Sequence, residues 1–425
     1  MASADSLTVP EARALAGTDV PLPAPVGDLS TGPTTGPSPR PSTGPTTSPS
    51  TGPSAGPSTG LTASMRERLA AAARDADASG EPDRPALALL RETGLLGLAL
   101  PYEYGGTGAD AHGLNSAVAQ VAQVNASASI MLFQHYAVSR RILEHGSPAL
   151  RRRLLPQLAR GDWLAASAWS ETGAGANKKQ LSTIARRTPD GGWVLDGAKS
   201  FTTSAGLADI YLVLAQTEEP APDAAPDTGY GSAGQTFFLI PADAPGLIPD
   251  TSMRLTGMRG SATGFVSVQD CHVPDTARLG PVGAAASIIA GVRDSGATLG
   301  AVSVGLAEAA LALAHRHAER RGLLAQQAVR HRLVDIAGEV ETARAVVERA
   351  GRRTADDPGI ATLHSKLVAS SAAERVINAV ERLLGSAGYV ASNEINRYGR
   401  DARAVALMGP TNDLCKELVS LTWNR

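Results

Sequence analysis

From Leu61 to about Gly161 the apolar positions recur at helical spacing. ASMRERLAAAARDADA, ALALLRETGLLGLALP and GLNSAVAQVAQVNASASIMLFQHYAVSRRILEHG all carry the stripe that an amphipathic helix buries. Turn signals such as Tyr104-Gly105-Gly106 separate them. Near Ala165 the apolar period shortens toward two. In TIARRTPDGGWVLDGAKSFTTSA a Pro-Asp-Gly-Gly turn joins two alternating runs, which predicts a β-hairpin. ADIYLVLAQT, GQTFFLIPADAPGLIP and GFVSVQDCHVPDTARLG continue as strands, with EEPAPDAAPDTGYGSAG as a polar loop between them. After Gly283 long Ala- and Leu-rich segments predict helices over about 287–321, 325–351, 361–387 and 400–408.

The two ends of the chain depart from these patterns. Ser30 to Gly60 reads STGPTTGPSPRPSTGPTTSPSTGPSAGPSTG, which offers too little apolar surface to offset the entropy of ordering it. A disordered extension is expected there. Near the other end, RDARAVALMGPTNDLCKEL begins as a helix and meets Gly409-Pro410, where helices stop because proline lacks an N–H. Thr411, Asn412 and Asp413 follow and suit the cap of a new helix. The expected organisation is an α+β chain: a disordered tail over 1–60, an N-terminal helical domain over 61–164, a middle β-barrel-like domain over 165–282 and a C-terminal helical bundle over 283–425.

Composition narrows the function classes. Hydrophobic residues make up 43% of 425, enough for a sizeable core. A net charge of −2 gives no global pull toward nucleic acid or an anionic membrane, and aromatics at 4% disfavour base-stacking platforms. Cys271 and Cys415 stand far apart without metal-type spacing, so a reduced protein with no metal site is expected. No apolar run approaches the roughly 18–20 residues of a membrane span. The stretch MASADSLTVPEARALAG lacks the basic-then-apolar order of a secretory signal, so the expected compartment is the cytoplasm.

Phosphate-binding P-loops, GxGxxG, HExxH and nucleophile elbows are missing from the sequence. What it has is an ordered set of linked stretches. AWSETGAGAN opens the β region and GAKSFTTSAGLADIYLVLA follows. LTGMRGSATGFVSVQDCHVP closes it, and LLGSAGY and RDARAVALMGPTND lie in the last helices. Singly, each has a plain structural reading: Ser170 and Thr203 as strand ends, Gly173 and Gly175 as a turn, Arg400-Asp401 as a surface pair.

Taken together, the stretches resemble the acyl-CoA dehydrogenase family over roughly Met65 to the C-terminus. Ser170 to Asn177 resembles the family's Thr-Glu-Pro-Gly-Ala-Gly-Ser-Asp motif, and Gly197 to Thr203 its Gly-x-Lys-x-Trp-Ile-Thr motif. Gly257 to Pro274 resembles its Gly-x-Arg-x-Ser…Val-Pro stretch, and Arg400 to Arg403 its Arg-Asp-Ala-Arg stretch. The resemblance implies bound FAD and a homo-oligomer, tetramer or dimer. It implies an acyl thioester substrate, on CoA or an acyl carrier protein, and an acceptor such as an electron-transfer flavoprotein. By the same resemblance Trp169, Ser170, Phe201 and Thr203 line the isoalloxazine. Arg320 (or Arg321) and Gln327 correspond to residues that meet FAD phosphates across a subunit interface. The segment Arg382 to Ser386, with Gly385, and Thr411 to Asp413 would complete the site. Hydroxyl and backbone donors suit a flavin, because they stabilise its electron-rich reduced ring.

The chain also departs from the family. AERRGLLAQQ is short before Gln327, Arg382 stands where glutamine is usual, and Ala176 replaces a serine. Counting from Arg400, the family's usual catalytic glutamate falls on Gly409. The alternative position, on the first helix of the C-terminal domain, falls on Ser295 beside Asp294. Proton abstraction next to a thioester needs a positioned base, which contributes roughly 10²–10⁴-fold. Asp294 is the candidate, against a plain reading as a helix charge beside Arg293. The expected activity is α,β-desaturation of an acyl thioester. The alternatives are a flavin monooxygenase or oxidase on the same scaffold and a non-catalytic binding protein.

Deleting residues 1–60 is expected to leave melting temperature and flavin content unchanged, since the tail has no core-forming period. A large drop in melting temperature would show that the tail packs.

Overall fold

Local capping and breaking signals set where the helices begin and end. The computed structural model describes residues 60–172, 181–217 and 234–423. The Ser/Thr/Gly/Pro tail, nearly all of the expected polar loop and the Gly173–Asn177 half of the first motif lie outside them. Helix α1 (Ala63–Ser79) starts at Thr62, whose hydroxyl accepts from Met65 N, and stops at Gly80 in the left-handed region. Asp83 caps α2 (Arg84–Glu92) through Ala86 N at 2.9 Å and accepts from Asn125 Nδ2 at 2.8 Å. Asn125 in turn caps α4 (Ala126–His145). The long periodic run before Gly146 is therefore two helices, α3 (Ala111–Ala122) and α4, because the buried Asn125 side chain starts a new one. Helix α5 (Pro148–Arg160) leads into the strands.

The strands are β1 (Ala165–Ala168), β2 (Ile184–Arg187), β3 (Trp193–Thr202), β4 (Ile210–Thr217), β5 (Gln235–Pro241), β6 (Leu247–Asp250), β7 (Gly264–Val273) and β8 (Arg278–Leu279). They form a sheet of order β6-β7-β3-β2-β4-β5-β8, with β1 paired to β4. The β2–β3 hairpin forms as the alternation predicts, with Arg187 opposite Trp193. The parallel pairings of β1 and β2 with β4 are long-range and are not written in any turn. Strand β4 is buried on both faces, which accounts for its unbroken apolar run. Ile210, Leu212 and Leu214 face one core, shared with α5 and the C-terminal helices, while Tyr211, Val213 and Ala215 face the other.

The last region holds α6 (Ala285–Asp294), α7 (Gly300–Arg320), α8 (Gln327–Arg352), α9 (Pro358–Leu384), α10 (Glu394–Leu407) and α11 (Asn412–Ser420). The single helix expected over 287–321 is broken between Ser295 and Leu299. Gly296 there has a φ of 80°, and a Cβ on it would meet Ala350 O at 2.5 Å. Asn115 of α3 satisfies the break. Its Nδ2 donates to Gly296 O and its Oδ1 accepts from Thr298 N, both at 3.0 Å. A side chain distant in sequence thus makes tolerable a break that local periodicity argues against. Helices of both ends share one core with Met258 and Ala262 of the β7 approach. Cys271 and Cys415 are buried and unpaired. Among the described residues no helix is long and apolar enough to cross a membrane.

The Arg-Asp-Ala-Arg stretch on α10 fastens the helical and β regions together. Arg400 donates to Thr256 O at 3.0 Å and pairs with Asp77 of α1. Asp401 is buried and accepts from Met258 N. Burial pushes its carboxyl up to about 6, against the lowering effect of the Met258 bond. Gly257 lies so close that a Cβ on it would stand 2.3 Å from Arg400 O. Gly257→Ala is expected to cost about 1–3 kcal/mol through overpacking at this junction. Thermal unfolding checks it, and an unchanged melting temperature would show that the contact is slack.

Candidate functional site

Trp169, Ser170 and Glu171 follow directly on β1, and the end of β3 is bonded across to them. Ser200 N donates to Ser170 O at 2.8 Å. Lys199 Nζ lies 2.6 Å from Glu171 Oε1, both side chains being almost wholly buried. Glu171 also accepts from Ser182 N and Oγ at 2.6 Å and from Thr183 N at 3.0 Å. Burial pushes the Glu171 carboxyl up, but the Lys199 charge and these bonds outweigh it and hold it at about 2. Gly197 permits the close crossing, since a Cβ there would lie 2.5 Å from Thr183 Cα. Glu171 therefore pins the start and the return of the stretch that carries the first motif.

Immediately after Lys199 the β3–β7 register slips, and Phe201 takes a φ of 55°. A bulky residue at positive φ is an outlier, and such backbone concentrates at functional sites. Its ring is 66% exposed although its strand neighbours Ser200 and Thr202 are buried. Around it Thr263 Oγ1 donates to Thr203 Oγ1 at 3.3 Å, and Ser261 and Thr263 share a bond at 2.8 Å. The buried hydroxyls of Ser200, Thr202 and Ser204 have no hydrogen-bond partner. Trp169, half-buried, packs on Phe237 with ring centroids 5.0 Å apart. An open aromatic face on a strained bulge, with the Thr203–Thr263 hydroxyl pair next to it, fits a planar heteroaromatic ring with polar edges, as an isoalloxazine has.

The structure thus gathers Trp169, Ser170, Phe201 and Thr203 at one crossing. The other expected residues sit at helix ends with local partners. Arg320 and Gln327 flank an exposed turn between α7 and α8, which Arg330 tightens by donating to Leu324 O at 2.7 Å and Ala325 O at 2.9 Å. Gly385 caps α9 at a φ of 60° with open space around it. Thr411 spends its hydroxyl capping α11, accepting from Leu414 N at 3.2 Å, and the exposed Asp413 pairs with Lys416 at 3.0 Å.

Asp294 ends α6 exposed. Its Oδ1 lies 2.6 Å from where a Cβ on Gly359 would stand, in the first turn of α9. Its neighbour Ser295 instead lines a cavity of about 40 Å³ between α3, α4 and the α6–α7 break, with Leu114, Phe133, Tyr136, Arg140 and Arg141 among the other walls.

Lys366 is a buried polar residue near the site that the motifs did not reveal. It is buried on α9, and its ammonium donates to Met408 O at 2.9 Å, Ala406 O at 3.5 Å and Pro410 O. Burial pulls its pKa down to about 8. Asn412 adds a bond from Nδ2 to Ser370 Oγ at 2.9 Å. The polar break after α10 is therefore held from below by three carbonyls on one cation. A lysine inside the apolar stripe of ATLHSKLVASSAA was the available sequence signal.

Comparisons with known proteins agree along the chain. The N-terminal, middle and C-terminal domains of acyl-CoA dehydrogenase match residues 60–162, 166–271 and 288–420. The cyclohexane-1-carbonyl-CoA dehydrogenase of Geobacter metallireducens is 32% identical, over 83% of this chain and 92% of that protein. The L-prolyl-[peptidyl-carrier protein] dehydrogenase of Pseudomonas fluorescens is 30% identical, over 78% of this chain and 88% of its own. The solved structure of butyryl-CoA dehydrogenase from Megasphaera elsdenii superposes with a TM-score of 0.77 at 26% identity, covering 86% of this chain and 99% of that one.

Lys199→Met would leave Glu171 buried without its cation and is expected to cost about 3–5 kcal/mol at neutral pH. The stability that Glu171 contributes is present above the ordinary carboxylate pKa and is lost as pH falls from there through about 2. Urea midpoints of the two proteins should therefore converge below about pH 4.5. A gap independent of pH would contradict the assignment.

Proposed function

The chain belongs to the acyl-CoA dehydrogenase family, and on that basis we propose that it is an FAD-dependent enzyme that desaturates an acyl thioester between Cα and Cβ. The observation that carries this reading is the exposed Phe201 ring on its positive-φ bulge, next to the Thr203–Thr263 hydroxyl pair. In this reading Trp169, Ser170, Phe201 and Thr203 hold the ring system, with Gly385, Thr411 and Asp413 completing the pocket. Arg320 and Gln327 reach the cofactor of a neighbouring subunit. Exposed apolar side chains such as Tyr389, Val390, Leu407 and Trp423 support a homo-oligomer, tetramer or dimer. Bound FAD supplies the acceptor for the hydride that leaves Cβ, and an electron-transfer flavoprotein takes the electrons onward.

The protein's own part is to position the thioester and take the α-proton. Relatives act on both CoA and carrier-protein thioesters, and either carrier is compatible with this reading. The far end of the acyl group enters the cavity between α3, α4 and the α6–α7 break, whose walls include Leu114, Phe133 and Tyr136. Asp294 is assigned as the proton acceptor, because it adjoins Ser295 on that wall and Gly409 has no side chain to offer. Its carboxylate stands against Gly359 and must turn from there to meet a bound substrate. Lys366 keeps the 406–410 carbonyls in place beneath the loop.

Anaerobic mixing of the yellow holoenzyme with a panel of acyl thioesters is expected to bleach the flavin and give an enoyl product. Asp294→Asn should lose bleaching by at least about 100-fold while retaining FAD. Bleaching at the parental rate would make Asp294 a structural anion at the N-terminus of α9. Oxygen-dependent turnover without an enoyl product would instead identify an oxidase or monooxygenase.

A further inference from the structure

Arg141 stands on the buried face of α4 between Val138 and Ile142, and its side chain is 3% exposed. Its Nη2 pairs with Glu144 at 2.7 Å, but Nε and Nη1 are buried with no hydrogen-bond partner. Glu144 cannot balance the charge around it. The same carboxylate lies 3.6 Å from Arg140 Nε, so one anion is shared between two guanidinium groups. The remaining nearby anion, Asp294, acts on Arg141 only through space, since its carboxylate is exposed beside Gly359. A buried guanidinium with unmet N–H groups is costly unless something supplies an anion.

The cavity is where that anion would come. Arg140 and Arg141 both line it. Its other polar groups are already engaged: Asn115 with Gly296 and Thr298, Ser295 Oγ with Val292 O, and Tyr136 OH with Leu95 O at 2.7 Å. Gly291 leaves Arg141 room, because a Cβ there would stand 3.2 Å from Nη1. The free volume of about 40 Å³ holds about three water-sized groups, the size of a carboxylate and little more.

We infer that the acyl group this chain accepts is short and itself anionic: a dicarboxylic acid linked as a monothioester, whose free carboxylate pairs with Arg141 in the cavity between α3, α4 and the α6–α7 break. The inference rests on the reading of the cavity as the acyl site. Desaturation needs hydrogen on both Cα and Cβ, so the smallest acyl group that qualifies is of succinyl type. Guanidinium–carboxylate pairs combine charge with directed N–H donors, which gives this wall selectivity that the apolar walls lack.

The test uses thioether analogues, which cannot be oxidised because they lack the carbonyl. S-(3-carboxypropyl)-pantetheine and S-butyl-pantetheine differ only in the terminal charge and are titrated into the FAD-loaded enzyme. The carboxylate analogue is expected to bind at least about tenfold tighter. Arg141→Met should erase that preference by weakening the carboxylate analogue alone, and Arg141→Lys should keep part of it, with FAD content unchanged in both. Equal binding or preference for the butyl analogue in the parent protein overturns the inference, whether or not the variants fold. So does an Arg141→Met variant that weakens both analogues alike, or failure of the parent to bind either. Flavin bleaching by acyl thioesters, measured separately, distinguishes the two levels. A protein that selects the charged analogue but is bleached by no thioester loses the dehydrogenase reading. One that is bleached by butyryl-pantetheine without selecting charge loses only the anionic acyl group.

Discussion

The buried ion pair between Lys199 and Glu171 is the interaction on which the candidate site depends. It joins the end of β3 to the exit of β1, and those two backbone segments carry Phe201 and Thr203 on one side and Trp169 and Ser170 on the other. A buried pair of this kind is weak evidence for stability as such, because desolvation offsets much of its attraction. What it supplies here is register. With Glu171 also taking Ser182 and Thr183, four donors converge on one carboxylate, and β3 can bulge immediately beyond Lys199 without the crossing drifting.

The same arrangement recurs elsewhere. Asp83 and Asn125 start two helices from one buried contact, Asn115 bridges the break between α6 and α7, and Lys366 gathers the carbonyls after α10. In each case a polar side chain is buried at an interruption of regular structure and satisfies the backbone groups that the interruption exposes. Arg141 differs from this pattern. It lies near the C-terminal end of α4, bonds no backbone carbonyl there, and two of its nitrogens are unmet. The proposed anionic ligand rests on that contrast.

The hydrophobic period made most elements legible. The change from helical to alternating spacing near Ala165 located the strands, and Pro-Asp-Gly-Gly located the β2–β3 turn. Strand β1 was not legible, since four residues of AASA carry no alternation and pair in parallel with a strand more than forty residues on. The break after Asp294 was hidden because Asn115, which sustains it, lies far away in sequence. The site was read through motif resemblance, which named Phe201 and Thr203 but could not give the bulge that exposes the ring. Arg141 and Lys366 were visible as charges within apolar stripes, a signal that acquires meaning only when their partners, or the lack of them, are known.

The most direct measurement of whether the β1–β3 crossing is the flavin site is the affinity of the apoprotein for FAD with and without the Phe201 ring. Because that ring is largely exposed, Phe201→Ala should leave the melting temperature of the apoprotein unchanged. Loss of its stacking surface should weaken FAD binding by about tenfold. Parental affinity in a normally folded Phe201→Ala protein would contradict the account and place the cofactor elsewhere.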